Sequence, residues 1–261
     1  MLKPTVGIQL YTLRDHIQTA PDFDRTLQRL AAMGVTDVQI SAIGDIPAEV
    51  QRDILQKNGM RVCVTHKSFE RMQNDLPALI KEHETIGCDA IGLGSAPREY
   101  RDTAAGVRTF ISIANDIGRE LKKHGMAFHY HNHDLEFKPL NNGQTMMDLL
   151  LTETDPETFR FIPDVMWIHY AGADPVEVLR KMRGRVKVIH FKDYILTETG
   201  ERRFVPLGEG RTNLHACYDA ACELDMPYIM YEQDADWDGG DPFRSTEISW
   251  RFLQSLGQKE A

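Results

Sequence analysis

The sequence predicts an α/β fold in which eight parallel strands, each followed by a helix, close into a (β/α)8 barrel. Strand-like apolar runs and helical patterns alternate eight times, with no linker or low-complexity segment between them. Five of the helices end at or beside a glycine just before the next strand, as short helix-to-strand turns require. The first strand is not followed by the GxGxxG pattern of an open nucleotide-binding sheet, which favours closure. We therefore expect one barrel domain over residues 1–261.

Each predicted strand is a short apolar run bounded by turn residues. In chain order the eight runs are 6–11, 37–40, 61–66, 89–94, 126–132, 161–165, 186–191 and 228–232. Each predicted helix repeats apolar residues at helical spacing, as Phe23, Leu27 and Leu30 do in the first one. These helices are 21–33, 47–58, 69–86, 103–124, 145–153, 175–182, 213–224 and 243–256.

The composition limits the classes of partner. With 42% hydrophobic and 26% charged residues, the chain has the balance of an ordinary globular protein. A net charge of −9 and the lack of a clear basic patch argue against a nucleic-acid partner. No apolar run approaches the ~18 residues that cross a membrane, so no membrane partner is expected. A homo-oligomer stays open, because no exposed apolar stripe identifies an interface.

Cysteine usage and the start of the chain bear on location. The four cysteines show no CxxC or zinc-finger spacing, which predicts reduced, buried thiols. Residues 1–4 run straight into a strand and lack the apolar region of a signal peptide. A cytoplasmic location is the resulting expectation.

Polar and ionisable residues collect where the predicted strands end. Asp164, His190 and Glu232 each follow an apolar run, and His66 ends another. The carboxyl ends of the strands form the active face of such a barrel. Carboxylates and imidazoles together suit a divalent cation such as Mn²⁺, Mg²⁺ or Zn²⁺. Alternatives stay open, because Asp164 could simply cap the following turn and His66 could be a hydrogen-bonded rim residue.

The fifth predicted strand is rich in histidine. Strand alternation places His129, His131 and His133 on one face. If that face points into the barrel, His131 and His133 reach its upper interior. A surface cluster is the alternative, but it fits poorly in the middle of an eight-unit pattern.

The chain resembles the sugar phosphate isomerase/epimerase superfamily, the xylose isomerase-like barrels, over essentially its whole length. The segments that carry the resemblance are GIQLYTLRD at 7–15, YHNHDLEF at 130–137, DVMW at 164–167, AGADP at 171–175, HFKD at 190–193, GEG at 208–210 and EQD at 232–234. Each is weak alone, but their order along the chain is specific.

The resemblance implies one divalent metal ion, which could be Mn, Mg, Zn or Co. Members of this superfamily typically hold it with Glu, Asp, His and Glu. Asp164, His190 and Glu232 match three of those positions. Glu136 is the carboxylate nearest to the remaining position and is expected as the fourth ligand, with His131 as its substitute.

The resemblance also implies roles in catalysis. His133 or His131 would act as the base, with Glu232 bridging metal and substrate. Lys192 and His66 would orient hydroxyl groups or stabilise negative charge. Arg14 and Trp167 would shape the entrance to the substrate-binding pocket.

These roles predict a metal-dependent isomerase, epimerase, lyase or dehydratase that removes a proton beside a carbonyl. Its small-molecule substrate would be a keto-sugar, a keto-inositol or a 3-keto-glycoside. One alternative is an abasic-site endonuclease of the same barrel superfamily, which would need more metal ligands and a basic surface. The other is a non-catalytic sugar-binding barrel, which would have lost a ligand.

Overall fold

A computed structural model describes residues 3–257 of the chain. Eight strands form one parallel sheet in the order β6-β5-β4-β3-β2-β1-β10-β7. Its strands are β1 (Thr5–Gln9), β2 (Asp37–Ile40), β3 (Arg61–His66), β4 (Ala90–Leu93), β5 (Ala127–His131), β6 (Phe159–Ile162), β7 (Val188–Phe191) and β10 (Tyr228–Tyr231). The two residues before and the four after the described range belong to the predicted domain 1–261 but lie outside the structural description.

The sheet closes between its two end strands. Parallel bridges pair Phe161 with Val186 and Asp164 with His190. The His190 amide donates to the Pro163 carbonyl at 2.9 Å, beyond the last residue of β6. The prediction of a (β/α)8 barrel is therefore confirmed, and the closing bridge holds Asp164 beside His190.

Helices surround this barrel. They are α1 (Ala20–Ala32), α2 (Ala48–Lys57), α3 (Phe69–Asn74), α4 (Leu76–Ile86), α5 (Arg98–Arg101), α6 (Ala104–Lys123), α7 (Met146–Glu153), α8 (Val165–Tyr170), α9 (Pro175–Lys181), α10 (Leu214–Glu223) and α11 (Pro242–Ser255). Short 3₁₀ turns occupy Leu10–His16, Leu135–Phe137 and Asp238–Gly240. Apolar faces of the helices pack on the strands in one continuous core. No helix within residues 3–257 has the length and apolar character to cross a bilayer.

Besides small shifts at element ends, the unpredicted α5 and the 3₁₀ turn at Leu10–His16, the structure differs from the predicted elements in three places. The predicted helix 69–86 is two helices, because Asp75 breaks the helical conformation just before Pro77. The sixth strand ends at Ile162 rather than 165, because Asp164 already caps the additional helix α8. An antiparallel hairpin of β8 (Asp193–Leu196) and β9 (Arg202–Val205) follows β7 where no strand was predicted.

The hairpin is tied to the barrel at its base by Asp193. This buried carboxylate accepts hydrogen bonds from the amides of Tyr194, Gly208, Gly210 and Thr212, at 2.9–3.1 Å. A side chain at Gly210 would collide with the Asp193 carboxylate, so glycine is needed there. The loop after the hairpin is thereby held against the end of β7.

The four cysteines are free thiols in the structure. Cys63, Cys88 and Cys217 are buried, whereas Cys222 is half-buried. Burial raises the pKa of Cys88 to about 11 and that of Cys217 to about 12, so both are protonated at neutral pH.

Candidate metal centre

A cavity of about 340 Å³ opens at the carboxyl ends of the barrel strands. It lies on the face where (β/α)8 barrels carry their active sites. Its lining residues are Tyr11, His66, Gly94, Ser95, His131, His133, Lys192, Glu232 and Asp234.

Four potential metal donors meet beside this cavity. They are His131 at the end of β5, Asp164 after β6, His190 in β7 and Glu232 after β10. One nitrogen or oxygen atom from each lies within 4.8 Å of those from the other three. All four side chains are buried. Four consecutive positions around the barrel therefore supply one group of two imidazoles and two carboxylates.

Asp164 divides its carboxylate between two tasks. Its Oδ1 accepts from the amides of Met166 and Trp167, both at 3.1 Å, and so caps helix α8. Its own amide donates to Asn132 at 3.0 Å. These contacts turn Oδ2 toward His131 Nε2, at 3.3 Å, and toward Lys192 Nζ, at 3.4 Å. The capping role considered for Asp164 is real, and it leaves the second oxygen free for the donor group.

The tautomer of His190 is fixed by Gln39 on β2. His190 Nε2 lies 2.7 Å from the carbonyl oxygen of the Gln39 side chain, with the amide orientation assigned in the structure. That oxygen only accepts, so Nε2 carries the proton in the neutral ring. The unprotonated Nδ1 then faces Glu232 Oε2 at 2.8 Å.

The tautomer of His131 is also fixed by a hydrogen bond, but here Nδ1 carries the proton and Nε2 faces the donor group. Its Nδ1 donates to the Gly94 carbonyl at 3.1 Å, because a backbone carbonyl can only accept. In the neutral ring Nε2 is consequently unprotonated, and it is the atom that faces Asp164. Outer hydrogen bonds that fix the tautomer and orientation of a metal-binding histidine are general in protein metal sites.

These contacts test whether the residues fit a cation. Each imidazole turns a lone pair toward a carboxylate oxygen, and two such groups repel unless positive charge lies between them. His190 Nδ1 and Glu232 Oε2 are both buried, and neither makes a hydrogen bond of acceptable geometry with the described residues. Nitrogen and oxygen donors in this number suit Zn²⁺, Mn²⁺ or Mg²⁺. The donor set therefore fits one divalent metal ion.

Lys192 is the buried cation of this site. Its Nζ lies 3.0 Å from Glu232 Oε2 and 3.0–3.1 Å from both carboxylate oxygens of Asp234. Burial alone would lower the pKa of Lys192, but Asp234, Glu232 and Asp164 together raise it. Burial alone would raise the pKa of Glu232, but Lys192 and His190 hold it well below its usual range. Three carboxylates thus surround one ammonium, which leaves an excess of negative charge for a metal ion to balance.

The structure does not bring Glu136 into the donor group. Its Oε1 accepts from the Tyr130 hydroxyl at 2.6 Å, and its Oε2 accepts from the His133 amide at 2.8 Å. Both oxygens are engaged because the 3₁₀ turn Leu135–Phe137 folds the side chain back beneath its own segment. His131, considered as a substitute for Glu136, occupies the fourth position instead.

His133 and His66 line the cavity as neutral rings. Burial, with a contribution from the nearby His131, lowers the pKa of His133 to about 3. The same two causes hold the pKa of His66 well below its usual range. The His133 ring lies 4.8 Å from that of His131, between centroids. His129 does not join them, because it lies in the middle of β5, two residues before His131, and lines a different cavity.

Trp167 and Arg14 lie behind the lining residues rather than in the lining itself. The Trp167 ring packs 5.2 Å from His133, between centroids, and is nearly buried at 7% exposure. Arg14 donates to the backbone carbonyls of Tyr11 and Asp234, both at 3.0 Å. Both residues therefore support the wall of the cavity.

Tyr11, Gly94 and Ser95 of the lining were not among the predicted site residues, and neither were two residues that hold charged or candidate metal-binding side chains in place. Gln39 is 151 positions from the histidine that it orients, and Asp234 is 42 positions from Lys192. Both do lie at strand ends, so their position in the repeating pattern is the signal that could have indicated them. The pairing partners become visible only in the folded barrel.

Fold and site together define a (β/α)8-barrel protein with a candidate metal centre at the carboxyl-terminal mouth. Residues 27–256 match the family model described as xylose isomerase-like TIM barrel. The chain belongs to this family.

Named relatives lie at low to moderate identity. An inosose dehydratase of Lacticaseibacillus casei is 32% identical over 222 residues, which are 78% of this chain and 67% of that protein. An inosose dehydratase of Clostridium tetani is 28% identical over 145 residues, or 54% of this chain, and the match spans only 42% of the relative's length. The structure of a sugar phosphate isomerase/epimerase from Parabacteroides distasonis superposes with a TM-score of 0.79 at 24% identity, covering 98% of each chain.

Proposed function

We propose that the protein is a divalent-metal-dependent enzyme that removes a proton beside the carbonyl of a keto-sugar, keto-inositol or 3-keto-glycoside. The observation that carries the proposal is the group of two tautomer-fixed imidazoles and two carboxylates beside the cavity. Isomerisation through an enediolate, epimerisation beside the carbonyl and dehydration beside the carbonyl can each begin with this proton removal. The 32% identity to an inosose dehydratase favours dehydration of a cyclic polyhydroxy ketone.

In this proposal His131, Asp164, His190 and Glu232 hold one metal ion. When bound, such an ion polarises a substrate carbonyl and stabilises the negative charge that develops on it. Manganese, magnesium, zinc and cobalt all accept this donor set.

The other lining residues then act on the substrate. His133 faces the cavity and its buried Nδ1 has no hydrogen-bond partner among the described residues, so its ring is the candidate base for the proton beside the carbonyl. Lys192 is a buried ammonium that stabilises developing negative charge. Tyr11, His66 and Ser95 offer hydroxyl and imidazole groups that orient the hydroxyls of the substrate.

Solvent exchange tests this proposal directly. Keto-sugars, inososes and 3-keto-glycosides are incubated in deuterium oxide with Mn²⁺ and the purified protein. At least one substrate should incorporate deuterium beside its carbonyl, and His133→Asn should lose the exchange while keeping its metal affinity. The absence of exchange from every substrate, with metal bound, would contradict proton abstraction.

The two alternatives are separable in the same preparation. An abasic-site endonuclease would have to bind abasic DNA at moderate salt, yet the cavity lining carries two carboxylates against one ammonium. A non-catalytic sugar-binding barrel would bind sugars without exchange and would not respond to Mn²⁺. All four donor positions are filled, which favours the enzyme.

A further inference from the structure

Glu136 is a buried carboxylate without an obvious task in the proposed reaction. Its exposure is 0%, and it forms no ion pair with a lysine or arginine of residues 3–257. Burial raises its pKa, although the hydrogen bond from Tyr130 opposes that rise. Burying a carboxylate without a cation is costly, so its hydrogen bonds must stabilise an arrangement that an apolar side chain could not.

Those hydrogen bonds join the two loops that form one side of the cavity. Tyr130 donates its hydroxyl to Glu136 at 2.6 Å and accepts from the amide of Ala96 at 3.2 Å. Glu136 also holds the amide of His133. The segment after β4 and the segment after β5 are thus linked through one hydroxyl and one carboxylate.

The segment after β4 also holds the donor histidine. Gly94 lies two residues before Ala96, and its carbonyl accepts from His131 Nδ1 at 3.1 Å. The position of that carbonyl determines which nitrogen of His131 carries the proton, and hence whether Nε2 presents its lone pair to the donor group. Glu136 also holds both neighbours of His131 along the chain. It accepts from the hydroxyl of Tyr130, one residue before His131, and from the amide of His133, two residues after it.

We infer that Glu136 is a positioning residue for the metal centre: it fixes the tautomer and orientation of His131 through Tyr130 and the loop 94–96. This inference rests on the proposed function, because it assigns His131 as a ligand. It gives Glu136 a role outside the ligand set, acting on His131 through Tyr130 and the loop 94–96 and not by direct contact. Removal of a partner that hydrogen-bonds a ligand directly weakens metal binding about 10–100-fold, and because Glu136 acts indirectly we expect a loss near the lower end of that range.

Three variants test the inference. Glu136→Gln keeps the shape but replaces one acceptor oxygen by an amide that donates. Tyr130→Phe removes only the hydroxyl that joins Glu136 to Ala96. Glu198→Gln, at an exposed position in the hairpin, is the matched control for the same change of charge. Circular dichroism and thermal melting establish which variants fold. If Glu136→Gln does not fold, Tyr130→Phe alone tests the inference.

Two readouts are measured, and neither depends on activity. Calorimetric titration with Mn²⁺ or Zn²⁺ should show at least about tenfold weaker binding in Glu136→Gln and in Tyr130→Phe. The loss of binding free energy in the double variant should be smaller than the sum of the losses in the two single variants, because both substitutions break the same chain of hydrogen bonds. In metal-free protein, ¹⁵N shifts of the His131 ring should show protonated Nδ1 in the wild type and mixed tautomers in both variants.

The outcomes separate the inference from the proposed function. Wild-type metal affinity in folded Glu136→Gln, with an unchanged His131 tautomer, would overturn the positioning role and leave the metal centre intact. If the wild type itself bound no divalent metal, the proposed function would fail. The tautomer measurement would still decide whether Glu136 controls His131.

Discussion

The two halves of the barrel contribute differently to the cavity. The half from β1 to β4 lines it with Tyr11, His66, Gly94 and Ser95, which carry no formal charge. The half from β5 to β10 lines it with His131, His133, Lys192, Glu232 and Asp234, and also supplies the donors Asp164 and His190. The candidate metal chemistry is therefore confined to one side of the mouth.

The uncharged half nevertheless controls the charged half. Gln39 on β2 fixes the proton of His190, and the Gly94 carbonyl after β4 fixes that of His131. The two histidines of the donor group come from one half, and the groups that fix their tautomers come from the other. The candidate donor group on one side of the mouth is thus oriented in part by residues on the other side.

The largest expected effect follows from removing a donor in the charged half. Glu232→Gln and His190→Ala each delete one position of the proposed ligand set. Metal affinity should fall more than about 100-fold, beyond the loss typical of outer partners. Calorimetric titration measures the loss, and circular dichroism checks the fold. Glu201→Gln, exposed at the hairpin, is the control for charge. Wild-type affinity in either donor variant would remove that residue from the site.

The next effect tests whether the uncharged half acts on the donors. In Gln39→Leu the Nε2–H of His190 loses its acceptor, so the ring can present either nitrogen to the metal. We expect about 10–100-fold weaker metal binding, again by titration calorimetry. Gln39→Glu restores an acceptor oxygen and should recover most of the affinity. Equal affinity in Gln39→Leu and the wild type would mean that the halves are independent.

A buried histidine behind the uncharged half gives a pH-dependent effect. Both ring nitrogens of the buried His83 are hydrogen-bonded. Nε2 lies 2.7 Å from the Thr65 hydroxyl, and Nδ1 lies 2.6 Å from the Leu79 carbonyl oxygen. Burial lowers its pKa to about 4, from 6.5 in the unfolded chain. The unfolded state therefore takes up a proton first as pH falls. The contribution of neutral His83 to the free energy of unfolding is therefore nearly complete above about pH 6.5 and declines as the pH falls to about 4. Between pH 7 and pH 5.5 the decline is about 1 kcal/mol.

Urea unfolding at several pH values measures that decline. His83→Gln should flatten it by this amount, whatever its effect on stability at pH 7. The same substitution at the exposed His124 is the matched control for the change of side chain. An equal slope in His83→Gln would show that this histidine does not contribute to acid sensitivity.

The smallest effects are expected in the uncharged lining itself. Tyr11→Phe and Ser95→Ala each remove one hydroxyl that could bind substrate, worth about 0.5–1.5 kcal/mol. KM should rise about two- to tenfold, while metal affinity stays at the wild-type value. Steady-state kinetics on a substrate identified by solvent exchange provides the measurement. A loss of metal binding in either variant would contradict the division between the halves.

The fold could be predicted because it repeats one local pattern. β2 and β3 were predicted to the residue, since each is a short apolar run after a helix-ending glycine. Helix α8 was missed because Asp164 caps it only two residues after β6 ends, at a position that the pattern assigned to the strand. The hairpin was missed because it adds nothing to the repeating strand–helix pattern on which the prediction was based.

The candidate site was less accessible from the sequence. Asp164, His190 and Glu232 stood out because each ends an apolar strand. Glu136 was expected among them because it follows His131 by only five positions, but its turn directs the carboxylate back to Tyr130. The direction of a side chain in a short 3₁₀ turn depends on what surrounds it, which the sequence does not reveal.

The carboxylate of Asp193 has a consequence for how this barrel could diversify. Asp193 binds amides on both sides of the hairpin, and Arg202 and Phe204 of β9 pack on Trp167. The mostly exposed tip, residues 195–201, could therefore change in length and sequence without displacing β7, which carries His190. The tip of the hairpin is thus a place where new substrate recognition could evolve while the residues of the candidate metal centre stay in position.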